Sequence, residues 1–252
     1  MDIERYLARI GYAGARAPAA PTLAALQRAH LFAVPFESLD CVRGRALSLD
    51  PQGLFDKIVT RRRGGFCFEL NGLFSVLLRA LGFDVTLLAA RPFWDSGELA
   101  PERAHLALLV DVDDTRWLTD VGFGHFTFTE PLSLDEPGDQ RRGRRIYRVA
   151  REGELLRMTF SFDGAAGSPR GYAFTLEPRF LEDFVPRCVA YSTDPDSPFA
   201  RSGVFTRHHP GGATTVTRTR MIRTIGGVET ETPVAGDEEW RALLAEHFGV
   251  TV

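Results

Sequence analysis

Lysine is almost missing from this chain: Lys57 is the only one among 30 basic residues, and the rest are arginine. Such a bias follows from genomic base composition as readily as from function. Cysteine is also scarce. Cys41, Cys67 and Cys188 are an odd number at wide spacing, with no CxxC motif and no Cys/His pair at zinc-ligand distance. That excludes a disulfide framework and gives no reason to expect a metal; a reducing setting is implied. No apolar run approaches the roughly 18–20 residues that cross a bilayer, so no membrane partner is expected. The start, Met1-Asp2-Ile3-Glu4-Arg5, has two acids and no signal-peptide apolar block. A cytoplasmic location is the default expectation. A basic excess is lacking too, since the formal charge is −3, which argues against a nucleic-acid partner. The runs Arg61-Arg62-Arg63 and Arg141, Arg142, Arg144, Arg145 therefore read as solvated faces, although a phosphate-bearing cosubstrate could use one.

What is present is ordinary globular material: 252 residues, 44% hydrophobic and 25% charged. This is enough for one large domain or two to three small ones sharing a core. The first third reads as helical. Ile3, Tyr6, Leu7 and Ile10 recur at helical spacing, as do Leu23, Leu26 and Leu31, and Gln52–Thr60 gives a short amphipathic helix. The strongest helix runs from Cys67 to Leu81, with Leu70, Leu73, Phe74, Leu77 and Leu78 at three- and four-residue steps and Gly82 as its stop. Beyond Gly82 the period changes to that of strands: Val85–Ala90, His105–Val112, Arg116–Val121, Ile146–Val149, Leu155–Phe162 and Tyr172–Leu176. Asp163–Gly171 has loop chemistry, and Tyr191–Pro198, with Asp and Pro interleaved, resembles a linker. After it, Gly203–His208, Ala213–Ile225 and Val228–Thr232 suggest a small sheet. Asp237 caps a last helix that Gly249 ends. The pattern predicts an α+β chain: a helical part over residues 1–84, a β part over 85–190 and a small α/β part over 191–252.

Cys67 stands out among the cysteines. Arg63-Gly64-Gly65-Phe66-Cys67 places it where a glycine-hinged loop enters a long buried helix, and free N–H groups and the helix dipole concentrate positive potential there. A thiol at such a point ionises more easily, and its own N–H is a candidate oxyanion donor. A small buried cysteine starting a core helix would look the same locally.

A nucleophilic thiol needs a base, and the chain has six histidines. His30 lies on a helical face, His208 and His209 at a hairpin turn, and His247 near a helix end. His125, after Gly-Phe-Gly, competes. His105 differs because it opens a strand whose hairpin partner carries Asp120. If Asp113-Asp114 is a two-residue turn, facing residues have numbers that sum to about 227. His105 and Asp120 then become diagonal neighbours on one face, about 7–8 Å apart at Cα. Asp120 can orient His105 and stabilise its imidazolium. A purely structural His–Asp pair would satisfy the same register.

At this point the residues resemble a known family. Arg62-Arg63-Gly64-Gly65-Phe66-Cys67-Phe68-Glu69-Leu70-Asn71 is similar to the nucleophile signature of the arylamine N-acetyltransferases. Val34-Pro35-Phe36-Glu37-Ser38-Leu39-Asp40 resembles their Pro-Phe-Glu-Asn-Leu segment, and Thr119-Asp120-Val121-Gly122-Phe123-Gly124 their aspartate segment. The likeness runs in order along the chain. It implies a three-part fold of helical bundle, β-barrel and α/β lid, with a core like that of papain-like proteases and transglutaminases. It implies a Cys67, His105, Asp120 triad that takes an acetyl group from acetyl-CoA, as cosubstrate, and passes it to an aromatic amine or hydrazine, with no permanently bound cofactor and no metal. By the same resemblance Glu37 and Arg63 form an ion pair behind the nucleophile and Phe36 and Phe123 line the acceptor pocket. Gly122 and Gly124 leave room for the CoA pyrophosphate arm, and Trp94 lies near the CoA cleft.

Three departures stand out. Leu70 replaces a histidine frequent in bacterial members, and His125 replaces a further glycine. The bulky Phe128 follows shortly, and with His125 it is expected to reshape the mouth of the site. Two other chemistries stay open on the same triad: amide synthesis from a carrier-bound polyketide thioester, and peptidase or transglutaminase chemistry.

Overall fold

The computed structural model describes residues 1–93, 96–162 and 170–251. Trp94 and most of the expected loop 163–171 lie outside them.

The helical part begins with α1 (Ile3–Ile10), where Asp2 accepts from the Arg5 N–H and Gly11 closes the helix at φ 67°. It continues through α2 (Ala20–Ala33), a two-residue strand β1 (Phe36–Glu37), α3 (Leu39–Val42) and α4 (Pro51–Phe55). The helix expected over Gln52–Thr60 is α4 running into a wide π-turn at Asp56–Thr60. Helix α5 (Cys67–Ala80) is buried nearly all round: apolar residues occur on every face, and the buried Glu69, Asn71 and Ser75 are hydrogen-bonded. Leu70, Leu73, Phe74, Leu77 and Leu78 are fully enclosed in the main core.

Eight antiparallel strands form a nearly closed barrel: β2 (Asp84–Phe93), β3 (His105–Val112), β4 (Thr115–Thr119), β5 (Leu132–Ser133), β6 (Asp139–Arg142), β7 (Arg145–Glu152), β8 (Leu155–Phe162) and β9 (Arg170–Phe174). Their order in space is β5-β4-β3-β2-β9-β8-β7-β6. The last gap is closed by a side chain. Gln140 of β6 accepts from the Ser133 N–H of β5 at 2.8 Å and donates to the Ser133 carbonyl at 2.7 Å, as a neighbouring peptide would. The β3–β4 hairpin has the two-residue turn expected. Asp113 and Asp114 sit at φ 53° and 55°, which suits the right-handed twist of the strands, and Val112 faces Thr115.

Helices α6 (Val185–Thr193) and α7 (Pro198–Ser202) take up both ends of the segment expected to be a linker, and the expected boundary at 190/191 falls inside α6. Proline at the second helical position of α6 and the first of α7 is tolerated there, since those N–H groups have no helical partner. The C-terminal sheet contains β10 (Phe205–His209), β11 (Gly212–Val216), β12 (Arg220–Ile225) and β13 (Val228–Pro233), so the stretch expected as Ala213–Ile225 is a hairpin. β1 from the helical part pairs with β10 and completes this sheet. Helix α8 (Asp237–Phe248) covers it through Trp240, Leu244 and Phe248. Gly236, not Asp237, is its N-cap; Asp237 is the first helical residue. The α+β architecture of bundle, barrel and lid is as expected. No helix among the described residues is long and apolar enough to cross a membrane.

His30 sits inside the bundle between Tyr6 and Phe74, with ring centroids 6.0 and 5.2 Å away. Burial, with Arg9 nearby, pushes its pKa down to about 3, and burial does the same to His208 on β10. Both are therefore neutral when folded, while the unfolded chain protonates them below about pH 6.5. The sign is unambiguous: stability falls as pH drops below 6.5, by up to about 1.4 kcal/mol per pH unit for each histidine. Urea unfolding between pH 7 and pH 5 is expected to show this loss, with a shallower slope in His30→Leu. Equal slopes in the two proteins would remove His30 from the account.

Candidate active site

The site is assembled around the first turn of α5. Cys67 is its first helical residue and is 2% exposed. The loop before it is sterically locked. A Cβ on Gly64 would meet the Pro35 carbonyl oxygen at 2.1 Å, and one on Gly65 would meet the Glu69 side chain at 2.9 Å. At the helix start Glu69, three residues on from Phe66, accepts the Phe66 N–H at 3.1 Å and supplies the acceptor half of a capping box.

The hairpin register brings β3 and β4 to the same place. Past Thr119 the chain leaves the sheet, and Asp120 turns into the interior with no exposed surface. One carboxylate oxygen, Oδ2, lies 2.7 Å from His105 Nε2. The other, Oδ1, accepts from Asn71 Nδ2 at 2.8 Å and from the Gly122 N–H at 2.7 Å. A carboxylate can only accept, so the proton sits on Nε2 and Nδ1 is the ring nitrogen left with a lone pair. Asn71 is four residues from Cys67 and shares its helix face. It also donates to the Leu106 carbonyl at 2.7 Å and accepts the Val121 N–H at 2.9 Å. One amide thus ties α5 to β3 and to the loop after Asp120.

Cys67, His105, Phe36, Gly122, Phe123 and Gly124 line one cavity of about 490 Å³. Gly122 is pressed against the nucleophile helix: a Cβ there would lie 2.7 Å from Cys67 Cα. Gly124 sits at φ 59°, and a Cβ there would lie 3.8 Å from the Phe36 ring. The His105 ring is wedged between Phe123 and Tyr172, with centroids 5.1 and 5.2 Å away. Phe199 of α7 adds a wall against Phe36 and Phe66. That residue lies just past the segment expected to be a linker, Tyr191–Pro198, and no local signal marks it.

Cys67 departs from its sequence-based expectation. Burial pushes its thiol well up, the Asp120 carboxylate adds to that, and the nearby Leu106 and Phe68 backbone groups only oppose it in part. The helix terminus does not offset the loss of water, so an isolated thiolate is disfavoured. The His105 imidazole, which lines the same cavity, is the group there that can accept the thiol proton.

Behind Cys67 lies a charged cluster. Arg63 Nε donates to Glu37 Oε1 at 2.8 Å, and Arg63 Nη2 lies 3.3 Å from Asp40. Lys57 reaches Asp40 and Glu69, each at 2.7 Å. The Arg61–Arg63 run is therefore not wholly a solvated face. The sequence marks Lys57 only as the lone lysine and Asp40 only as the end of the Val34–Asp40 segment, with no place in the site for either.

His125 lines the cavity. Its Nε2 lies 2.9 Å from Glu229 Oε2 on β13, its Nδ1 3.3 Å from Thr215 Oγ1, and its carbonyl accepts from Arg145. Phe128 does not reach the mouth of the site: it is fully buried in the barrel core, edge-on to Tyr147. Leu70 likewise faces the core. No three His, Cys, Asp or Glu side chains among the described residues are grouped as metal ligands.

The N-acetyltransferase family model matches residues 20–252. The arylamine N-acetyltransferase of Escherichia coli is 34% identical over 252 residues, covering 99% of this chain and 89% of that protein. The structure superposes on an arylamine N-acetyltransferase variant from Mycobacterium smegmatis with a TM-score of 0.91 at 32% identity, covering 99% and 93% of the two chains. For the Mycobacterium marinum arylamine N-acetyltransferase solved in complex with CoA the TM-score is 0.89, at 29% identity and the same coverage.

The Asn71 amide is the most exacting of the supporting contacts. Asn71→Ala strips a partner from the Val121 N–H, the Leu106 carbonyl and Asp120, and is expected to cost about 2–5 kcal/mol. Asn71→Asp, which sets a second carboxylate against Asp120, is expected to cost more. Denaturant unfolding at neutral pH checks both; a loss below 1 kcal/mol in Asn71→Ala contradicts the assignment.

Proposed function

The chain belongs to the arylamine N-acetyltransferase family, and on that premise we propose that Cys67, His105 and Asp120 carry an acetyl group from acetyl-CoA to an aromatic amine or hydrazine. The observation that carries this reading is the shared cavity: Cys67 and His105 both face it, while Asp120 holds the imidazole from behind.

In the first half-reaction His105 Nδ1 takes the Cys67 proton as the sulfur attacks the thioester carbonyl of acetyl-CoA. The charge that develops on the carbonyl oxygen is met by the Cys67 N–H at the open end of α5. Collapse breaks the bond to the CoA sulfur, which leaves with the proton from His105. In the second half-reaction the amine attacks acetyl-Cys67 and gives its proton to His105. The amide departs, and the thiol is restored. Through both halves Asp120 keeps the imidazole in one tautomer and balances its positive form. Aromatic walls at Phe36, Phe123, Phe126 and Phe199 favour a flat acceptor. The expected roles of Glu37 and Arg63 fit the ion pair behind the nucleophile. Gly122 and Gly124 lie on the loop proposed to face the cosubstrate, and Trp94 is proposed for the same cleft by resemblance alone. The part boundaries at 84/85 and 190/191, and a cytoplasmic setting, which fits three unpaired cysteines, belong to the same proposal.

Intact-mass analysis after exposure to acetyl-CoA alone tests the reaction. One acetyl group is expected, labile to hydroxylamine and transferable to an added arylamine. No hydroxylamine-stable adduct is expected on lysine, because the one lysine is buried and paired. Cys67→Ala should take none, and Asp120→Asn should acetylate about 10³–10⁴-fold more slowly. An acetyl group retained by Cys67→Ala would sink the assignment.

A further inference from the structure

Lys57 is the one lysine in the chain, and it is 6% exposed. Burying an ammonium costs several kcal/mol unless it is well paired. The position is therefore demanding, and arginine, which serves everywhere else, does not fill it. Two features define what Lys57 does there. Its backbone carbonyl, in the wide turn that ends α4, accepts the Arg63 N–H at 3.0 Å. Its ammonium is 2.7 Å from Glu69 Oε1. These contacts grip the two ends of Arg63–Glu69, the segment that carries Cys67.

The Glu69 carboxylate transmits the grip. While Oε1 is held by Lys57, Oε2 accepts the Phe66 N–H immediately before the nucleophile. Burial pushes the Glu69 carboxyl up, and the Lys57 ammonium is the main group opposing that. The cluster contains three carboxylates, Glu37, Asp40 and Glu69, against two cations, Lys57 and Arg63. Without Lys57, Arg63 would be the one half-buried cation among three acids, with the exposed Arg45 reaching only Asp40, at 4.0 Å. Glu69 would then take up a proton or swing away, and the Phe66 N–H would lose its acceptor.

We propose that Lys57 is a positioning residue for the reaction, fixing the attack geometry of the Cys67 sulfur through Glu69 without touching substrate. This rests on the reading of Cys67 as the acetyl carrier.

The test compares wild type, Lys57→Met and the double variant Lys57→Met/Glu69→Gln in single-turnover acetylation with acetyl-CoA. Lys57→Met keeps chain length and loses the charge. It is expected to lower the rate at saturating acetyl-CoA by about 10–100-fold, the scale of a small misplacement of a reacting group, with half-saturation unchanged. The double variant, whose Gln oxygen can still accept the Phe66 N–H, should recover most of that rate. A second readout uses the unaltered protein and does not depend on any variant folding. Labelled with ¹⁵N-lysine, it should show one protected ammonium signal that moves when Cys67 is acetylated. A folded Lys57→Met with the wild-type rate, or an ammonium signal that acetylation leaves in place, overturns the proposal. Wild-type protein that takes up no acetyl group overturns the carrier reading instead.

Discussion

Everything at the centre of this molecule depends on burying one negative charge. Asp120 has no contact with solvent, and an unpaired carboxylate there would be untenable. It is paid for by three donors from three different places: His105 at the head of β3, Asn71 on α5 and the Gly122 N–H in the following loop. The carboxylate is thus the joint between barrel and bundle. Moving any donor exposes an unmet charge, so the fold and the site share one constraint.

A second buried charge system lies on the other side of Cys67. In front are the Cys67 thiol, the His105 imidazole and Asp120; behind are the Glu37, Asp40 and Glu69 carboxylates with Lys57 and Arg63. The two differ in kind. The rear cluster is composed of permanent charges matched at hydrogen-bond distance, which rigidifies the loop and the helix start. In the front group burial disfavours the thiolate, and on the proposed mechanism charge separates there when the proton crosses to the ring. On the proposed mechanism the rigid rear aims the sulfur and the proton-mobile front ionises it.

Much of this was legible in the sequence where it depends on local periodicity. The apolar steps of α5 mark the nucleophile helix, and the Asp113-Asp114 turn fixes the β3–β4 register that puts His105 and Asp120 on one face. What stayed hidden depends on distant partners. Gln140 closes the barrel by acting as a peptide towards β5, which no pattern within β6 announces. Phe128 looks like a residue of the site because it follows the aspartate segment closely, yet the chain has already turned inward and buried it beside Tyr147. Asp and Pro between Tyr191 and Pro198 read as a linker, although proline at the start of a helix costs nothing and two short helices form around them. The thiol shows the same divide: the helix terminus that favours its ionisation is visible locally, whereas the burial that opposes it is not.

The same distinction governs the cavity wall. The loop Gly122–Phe126 that closes one side is held by residues far away in sequence. His208 of β10 is hydrogen-bonded to the Gly124 carbonyl, and His125 is tied to Thr215 of β11 and Glu229 of β13. Those strands reach the site because β10 pairs with β1, and β1 itself contains the Glu37 that binds Arg63. One continuous path of backbone and side-chain bonds therefore runs from the rear charge cluster, through the C-terminal sheet, to the loop facing the sulfur. The shape presented to an acceptor is a property of that closed circuit. A change in the C-terminal hairpin can reshape the cavity as effectively as a change in its lining, and no reading confined to the signature around Cys67 would anticipate it.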